Sequence, residues 1–189
     1  HDVDLWPLKV VEAKYYIREL ASLEIPAAAL NGVKSGIRIR LQTTAGAKFN
    51  QLATTSLKFY INAAGDQQAR LYEQILGHTV GAVVQSTAKP PKWRELLAPA
   101  PVKSVGYEDH EALLPYGPRS FQGYRLLQEY FAFPQRFYMF EVQGLAPAFK
   151  RANETQVDLL LLLNSVDLNL ENVVEGANFS MFCSPAVNL

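Results

Sequence analysis

Cysteine is almost absent from the chain, since only Cys183 occurs in 189 residues. A disulfide framework within the chain is therefore excluded, and a reducing compartment fits. Net charge is also absent. The 18 Lys and Arg residues balance 18 Asp and Glu, so no overall field draws the chain to nucleic acid or to an anionic membrane. No apolar run approaches the roughly 18 residues of a membrane span, and the longest, Leu159 to Leu163, is strand-sized. The three histidines, His1, His78 and His110, stand far apart with no partner at ligand spacing. None of the patterns H-E-x-x-H, paired C-x-x-C, G-x-x-x-x-G-K, G-x-G-x-x-G or G-x-S-x-G occurs. We therefore expect no metal, no organic cofactor and no catalytic centre. With only Trp6 and Trp93, far apart, the chain also lacks the planar aromatic row of a carbohydrate-binding module. That module is the alternative reading, and a hydrolase with remote carboxylates is weaker still.

Hydrophobic residues, by contrast, make up 49% of the chain and charged ones 19%, enough for a sizeable core and incompatible with disorder. Much of this material alternates with the two-residue period of half-buried strands. Val11, Ala13, Tyr15 and Ile17 oppose Glu12, Lys14 and Arg18. Ile37, Ile39 and Leu41 oppose Arg38, Arg40 and Gln42, and Leu57, Phe59 and Ile61 oppose Lys58 and Asn62. Further strands are expected over 102–108, 137–143 and 177–183. Val157–Leu163 turns apolar on both faces from Leu159, the pattern of a central strand.

Two helices interrupt the strands. The first is expected from an N-cap at Asp66 to about Leu76, closed by Gly77. The second runs from near Ser120 to just before Pro134. Its stripe Gln122, Arg125 and Glu129 is expected in water, with Phe121, Tyr124, Leu126, Leu127, Tyr130 and Phe131 covered. A third, short helix is expected around Leu170–Glu175. The proline-rich stretch from Ser86 to Pro101 reads as a connecting loop, with no internal repeat on either side. The sum is one β-rich α+β domain over residues 1–189, mainly antiparallel sheets packed as a sandwich with two or three helices at an edge or end.

Weaker chemical candidates have bland readings. Asp109-His110-Glu111 is a solvated acidic loop before it is a metal site, because neighbours in an extended chain point apart. Lys34, Arg38 and Arg40 read as a solvated strand face before an anion site, and Cys183 as a small hydrophobe in the row Phe179, Met181, Cys183. His78 is expected to hydrogen-bond at a helix end. Asn153-Glu154-Thr155 and Asn178-Phe179-Ser180 match the glycosylation pattern, which recurs by chance in chains of this length.

The density of aromatic and proline residues between Leu113 and Phe140 is the feature that remains. Most of these side chains are expected in the core, and a subset against a partner, since aromatic residues are enriched at interface centres. The apolar tip Leu113, Leu114, Pro115 and Tyr116 is the candidate interface.

The same region carries a family resemblance. Leu113-Leu114-Pro115-Tyr116, continued by Arg119-Ser120-Phe121-Gln122-Gly123-Tyr124-Arg125-Leu126-Leu127-Gln128-Glu129-Tyr130-Phe131-Ala132-Phe133-Pro134, resembles the signature of the TssF (ImpG, VasA) family of type VI secretion baseplate subunits. Asp4-Leu5-Trp6-Pro7-Leu8, Leu76-Gly77-His78 and Ser184-Pro185-Ala186-Val187-Asn188-Leu189 match in the same order. The resemblance implies a central part of a longer protein, which fits a chain that starts on His1 and stops on an apolar stretch, as though cut at both ends. It implies a cytoplasmic wedge component without catalysis. Its partners would be TssG, TssE, TssK and a second TssF copy, in a contractile, phage-tail-like machine.

Overall fold

Five consecutive leucines in a strand need apolar cover on both sides, and the architecture supplies it. The computed structural model describes residues 4–17, 20–25, 29–114, 117 and 121–186. Strands β1 (Leu8–Tyr16), β2 (Ser35–Thr43), β4 (Thr79–Ser86), β5 (Arg94–Leu96) and β8 (Gln156–Leu163) form one sheet in the order β1-β2-β8-β4-β5. Strands β3 (Ser56–Ile61), β6 (Val102–Ser104), β7 (Met139–Gln143) and β9 (Phe179–Met181) form the other, in the order β6-β7-β3-β9. Every pairing is antiparallel. Helices α1 (Asp66–His78), α2 (Gln122–Ala132) and α3 (Ala146–Arg151) complete the α+β fold.

Register explains the core. Ile37 lies opposite Leu161 and Ile39 opposite Leu159, while Ala82 and Val84 flank the same leucines from β4. These residues meet Leu57, Phe59, Ile61, Phe140, Val142 and Phe179 of the second sheet in one core, and Phe59 stacks on Phe140 at 5.2 Å. On the far side of β8, Leu160 and Leu162 pack with Tyr16, Val83, Leu23 and Ile25, the last two on the segment linking β1 to β2. β8 is thus central and doubly covered, as its run of leucines implies.

Several boundaries differ from the sequence expectation. A bulge between Val10 and Glu12 shifts the phase of β1, so Ala13 and Tyr15 are buried but Val11 is exposed. Helix α1 runs through Gly77 to His78, where the Thr79 hydroxyl donates to the Ile75 carbonyl at 2.6 Å. Its N-cap is Gly65, and Asp66 instead pairs with Arg70 one turn on. Around Leu170 there is a 3-10 turn, Leu168–Leu170, and no α-helix, because the Asp167 side chain accepts from Asn169 and closes a tight turn. The strands expected over 102–108, 137–143 and 177–183 are shorter. Gly106 (φ +103°) ends the first, a 3-10 turn Pro134–Phe137 precedes the second, and Gly176–Asn178 precedes the third. β4 and α3 had no sequence signal, and the expected loop at Ser86–Pro101 contains β5.

Leu161→Ala should cost about 2–5 kcal/mol, since its side chain is fully buried between sheets. Lys58→Ala on the outer face of β3 should stay within about 0.5 kcal/mol. Urea midpoints of the two variants check this register; equal midpoints would contradict it.

Candidate functional site

Helix α2 is turned inside out relative to an ordinary surface helix. Its only charged residues, Arg125 and Glu129, stand one turn apart and form a stripe. Such a stripe normally faces water. Here Arg125 is 2% exposed and Glu129 1%, whereas Phe121 is 71% exposed, Tyr124 67%, Leu127 55% and Phe131 80%. Tyr130 is exposed as well. The expected phase, with charge outward and Tyr124 and Leu127 covered, is therefore reversed for these residues; Gln122 alone of the stripe is exposed.

The reason lies in how completely Glu129 is satisfied. Its carboxylate accepts from the backbone N–H groups of Leu113 (2.9 Å) and Leu114 (3.1 Å) and from Arg125 Nη1 (3.2 Å). It also accepts from Nη1 of Arg136, which the 3-10 turn Pro134–Phe137 brings beneath the helix. A buried carboxylate without partners would be costly, and one with four charge-assisted or backbone donors is tolerated. Burial pushes the Arg136 guanidinium below its ordinary pKa, with Arg125 beside it acting the same way.

The two arginines also hold the preceding loop. Arg136 Nη2 donates to the carbonyls of Gly106 (2.9 Å) and Glu111 (2.7 Å), and Arg125 Nη2 donates to that of Tyr107 (3.3 Å). Glu111 in turn accepts from the Gly106 N–H at 2.7 Å. Gly106 has φ +103°, and a Cβ there would lie 3.4 Å from Arg136 Nη2, so a side chain would be strained and would crowd the fork. Outward from this base runs a chain of rings. Tyr107 meets Phe137 at 5.1 Å, Phe137 meets Tyr130 at 6.0 Å, and Tyr130 meets Phe131 at 5.7 Å.

The candidate tip is only partly placed. Leu113 and Leu114 are half-buried, anchored through their amides to Glu129, while Pro115 and Tyr116 lie outside the described residues. The larger apolar surface, on α2, was read from sequence as core. The signal for it was present but ambiguous: an Arg–Glu pair at one-turn spacing marks a stripe without saying which way it points.

The remaining candidates resolve into structural roles. Arg40 makes a bidentate pair with Asp158 (2.7 and 2.9 Å), and Arg38 and Arg40 both reach Glu12. Arg38 and Arg40 of the supposed solvated basic stripe are thus neutralised across three strands and mostly buried, whereas Lys34 is exposed as expected. Glu111 is engaged as above, and among the described residues no group of three or more acidic, histidine or cysteine side chains could hold a metal ion. His78 meets Asn164 at 3.1 Å. Cys183 is half-buried just past β9, and burial raises its thiol pKa. Trp6 and Trp93 pack against the core, and Trp93 donates to Glu154 at 3.1 Å. A cavity of about 640 Å³ on the outer face of the second sheet is lined by Trp6, Ser56, Lys58, Met139 and Glu141 among others, with Ser56 donating to Glu141 at 2.7 Å.

Glu129→Gln leaves two buried guanidinium groups facing a neutral amide and should cost about 3–5 kcal/mol. Leu127→Ala, on the exposed face, should stay within about 0.5 kcal/mol. Urea unfolding of both variants decides the orientation of the helix; the reverse order of midpoints would restore the phase expected from sequence.

Comparison with known proteins agrees along the whole chain. The family model described as "Type VI secretion system, TssF" matches residues 1–189. The "Type VI secretion system component TssF1" of Pseudomonas aeruginosa is 42% identical over 189 residues, covering 100% of this chain and 30% of that protein. Among solved structures, a chain of the TssK-TssF-TssG baseplate subcomplex determined by cryo-electron microscopy shares the fold. Its TM-score is 0.73 at 19% identity, covering 95% of this chain and 31% of that one. The present chain thus spans under a third of the length of either relative. It belongs to the TssF family of the type VI secretion system.

Proposed function

We propose that the chain contributes a rigid, non-catalytic scaffold to a cytoplasmic type VI secretion baseplate, working through protein–protein contacts. The observation that carries this reading is the outward face of α2, an uncharged aromatic surface fixed from beneath by a buried ion cluster. Apolar surface of this kind, rimmed by polar groups, marks association and not solvent exposure for its own sake. Family membership supports the baseplate setting, and the solved relative is named as assembled with TssK and TssG. TssG and TssK are the proposed partners on that ground, and TssE and a second TssF copy on the sequence resemblance. Among the described residues no helix is long and apolar enough to cross a membrane, which suits the cytoplasmic placement. The tip Leu113, Leu114, Pro115 and Tyr116 is proposed as part of the same contact region, since Leu113 and Leu114 are tied to the base of α2.

Co-purification of the full-length protein with candidate baseplate subunits tests the reading. TssG and TssK should be retained, and Leu114→Ser combined with Tyr116→Ser should weaken that capture while leaving the unfolding midpoint nearly unchanged. Failure to retain either subunit would overturn the baseplate reading. Unchanged capture by the double variant would move the contact away from the tip.

A further inference from the structure

We propose that the outer face of the first sheet is a separate contact surface, one that holds an acidic, extended segment of a partner protein. The inference rests on the protein-contact reading above and adds to it the chemistry of a partner.

Charge is spread unevenly over the molecule. Basic and acidic residues balance over the whole chain, but not on this face. Ile37, Ile39, Leu159, Leu161 and Val84 point into the core, so the residues alternating with them point outward. Lys9, Lys14, Arg38, Arg40 and Arg94 are thereby turned outward, against Glu12 and Asp158 of the opposite sign on these strands. Both carboxylates are engaged by Arg38 and Arg40 at the centre. The uncompensated charge therefore lies at the two edges of the sheet. Lys9 is exposed on the edge strand β1, and Arg94 stands on the edge strand β5. Arg94 is half-buried, makes no ion pair among the described residues, and has an Nε without an acceptor. A partly desolvated guanidinium without a counter-ion favours an incoming carboxylate.

Between these edges lies a neutral floor. Gln42 stands opposite Lys9 on one side and Gln156 on the other. Both amides are half-buried, and neither side chain has a hydrogen-bond partner among the described residues. A primary amide donates and accepts, so the two can bond the carbonyl and N–H groups of an extended backbone. From β1 to β5 there are four strand spacings, about 19 Å, which an extended segment crosses in about six residues. The face thus fits a segment with acidic groups at both ends and small polar residues between. A nucleic-acid strand carries phosphates continuously and would set some of them against Glu12 and Asp158. A membrane surface favours clustered basic groups, and here they are held apart.

Fluorescence anisotropy of the full-length protein with a labelled octapeptide tests the proposal. The peptide has two glutamates at each end of a four-residue Ser-Gly spacer, which sets its acidic ends about 20 Å apart when extended. Binding at low salt is expected, and it should weaken as salt rises, since the anchoring charges lie near the surface. Lys9→Glu and Arg94→Glu should each weaken it at least about tenfold. Lys58→Glu makes the same change of net charge on the other sheet and should bind like the wild type. The exposed side chain at Lys9 leaves circular dichroism unchanged, so Lys9→Glu decides the matter if Arg94→Glu fails to fold. Absence of binding by the wild type overturns the proposal, as does binding that Lys9→Glu leaves intact. Equal affinity for a peptide of four adjacent glutamates also overturns it, because such a peptide cannot span both edges. If single-stranded DNA or anionic vesicles bind more tightly than the octapeptide and Lys9→Glu abolishes this, the occupant is a phosphate surface and the acidic-protein proposal fails. TssG and TssK are absent from this measurement. Loss of their capture with the octapeptide still bound sinks the baseplate reading alone, and the reverse pattern sinks this inference alone.

Discussion

The burial of Glu129 between Arg125 and Arg136 decides how the rest of the α2 region is built. Once the carboxylate faces inward, the opposite stripe of the helix must face outward, and that stripe is aromatic. The same carboxylate takes up the amides of Leu113 and Leu114, and the two arginines take up the carbonyls of Gly106, Tyr107 and Glu111. A loop that would otherwise need water for its backbone groups is thereby tied to the helix. Buried ion pairs often contribute little net energy compared with apolar residues of the same shape, so stability alone does not account for the cluster. What the cluster supplies is orientation, because each donor has one geometric place and an apolar core would accept the helix in several rotations.

The sandwich beneath acts as a rigid base. β8 carries apolar residues on both faces and is held on each side by a full-length antiparallel neighbour. The 3-10 turn bearing Arg136 leads straight into β7 of the second sheet, so the ion cluster is fixed to a strand and not to a free loop. An aromatic surface presented this way loses little conformational freedom on docking, which favours affinity. Function in such a scaffold lies in which surfaces stay uncovered, and the chemistry of α2 separates it from the ion-paired outer face of the first sheet, where Glu12, Arg38, Arg40 and Asp158 neutralise one another.

Sequence periodicity was informative where one period and one face settle the matter. Ile37, Ile39 and Leu41 alternate without ambiguity, and five leucines cannot be covered except centrally. β4 gave no signal because it follows α1 without a turn residue between them, and Gly81 interrupts its apolar run. For α2 the two stripes were legible but their direction was not. Period fixes the angle between Arg125 and Tyr124, and the choice of inward stripe depends on Arg136, which reaches Glu129 only after the chain has turned at Pro134. Arg38 and Arg40 show the same limit, since their partners Glu12 and Asp158 lie on strands remote in sequence.

The central claim is that the carboxylate of Glu129 and the guanidinium of Arg136 are coupled beneath an outward-facing helix. A double-mutant cycle of Glu129→Gln and Arg136→Met, read by urea unfolding at one fixed protein concentration, measures that coupling directly. The account predicts a coupling energy of about 2 kcal/mol or more, as expected for a buried charge pair whose partners each lose their counterpart. Additive effects of the two substitutions, with no coupling, would contradict it.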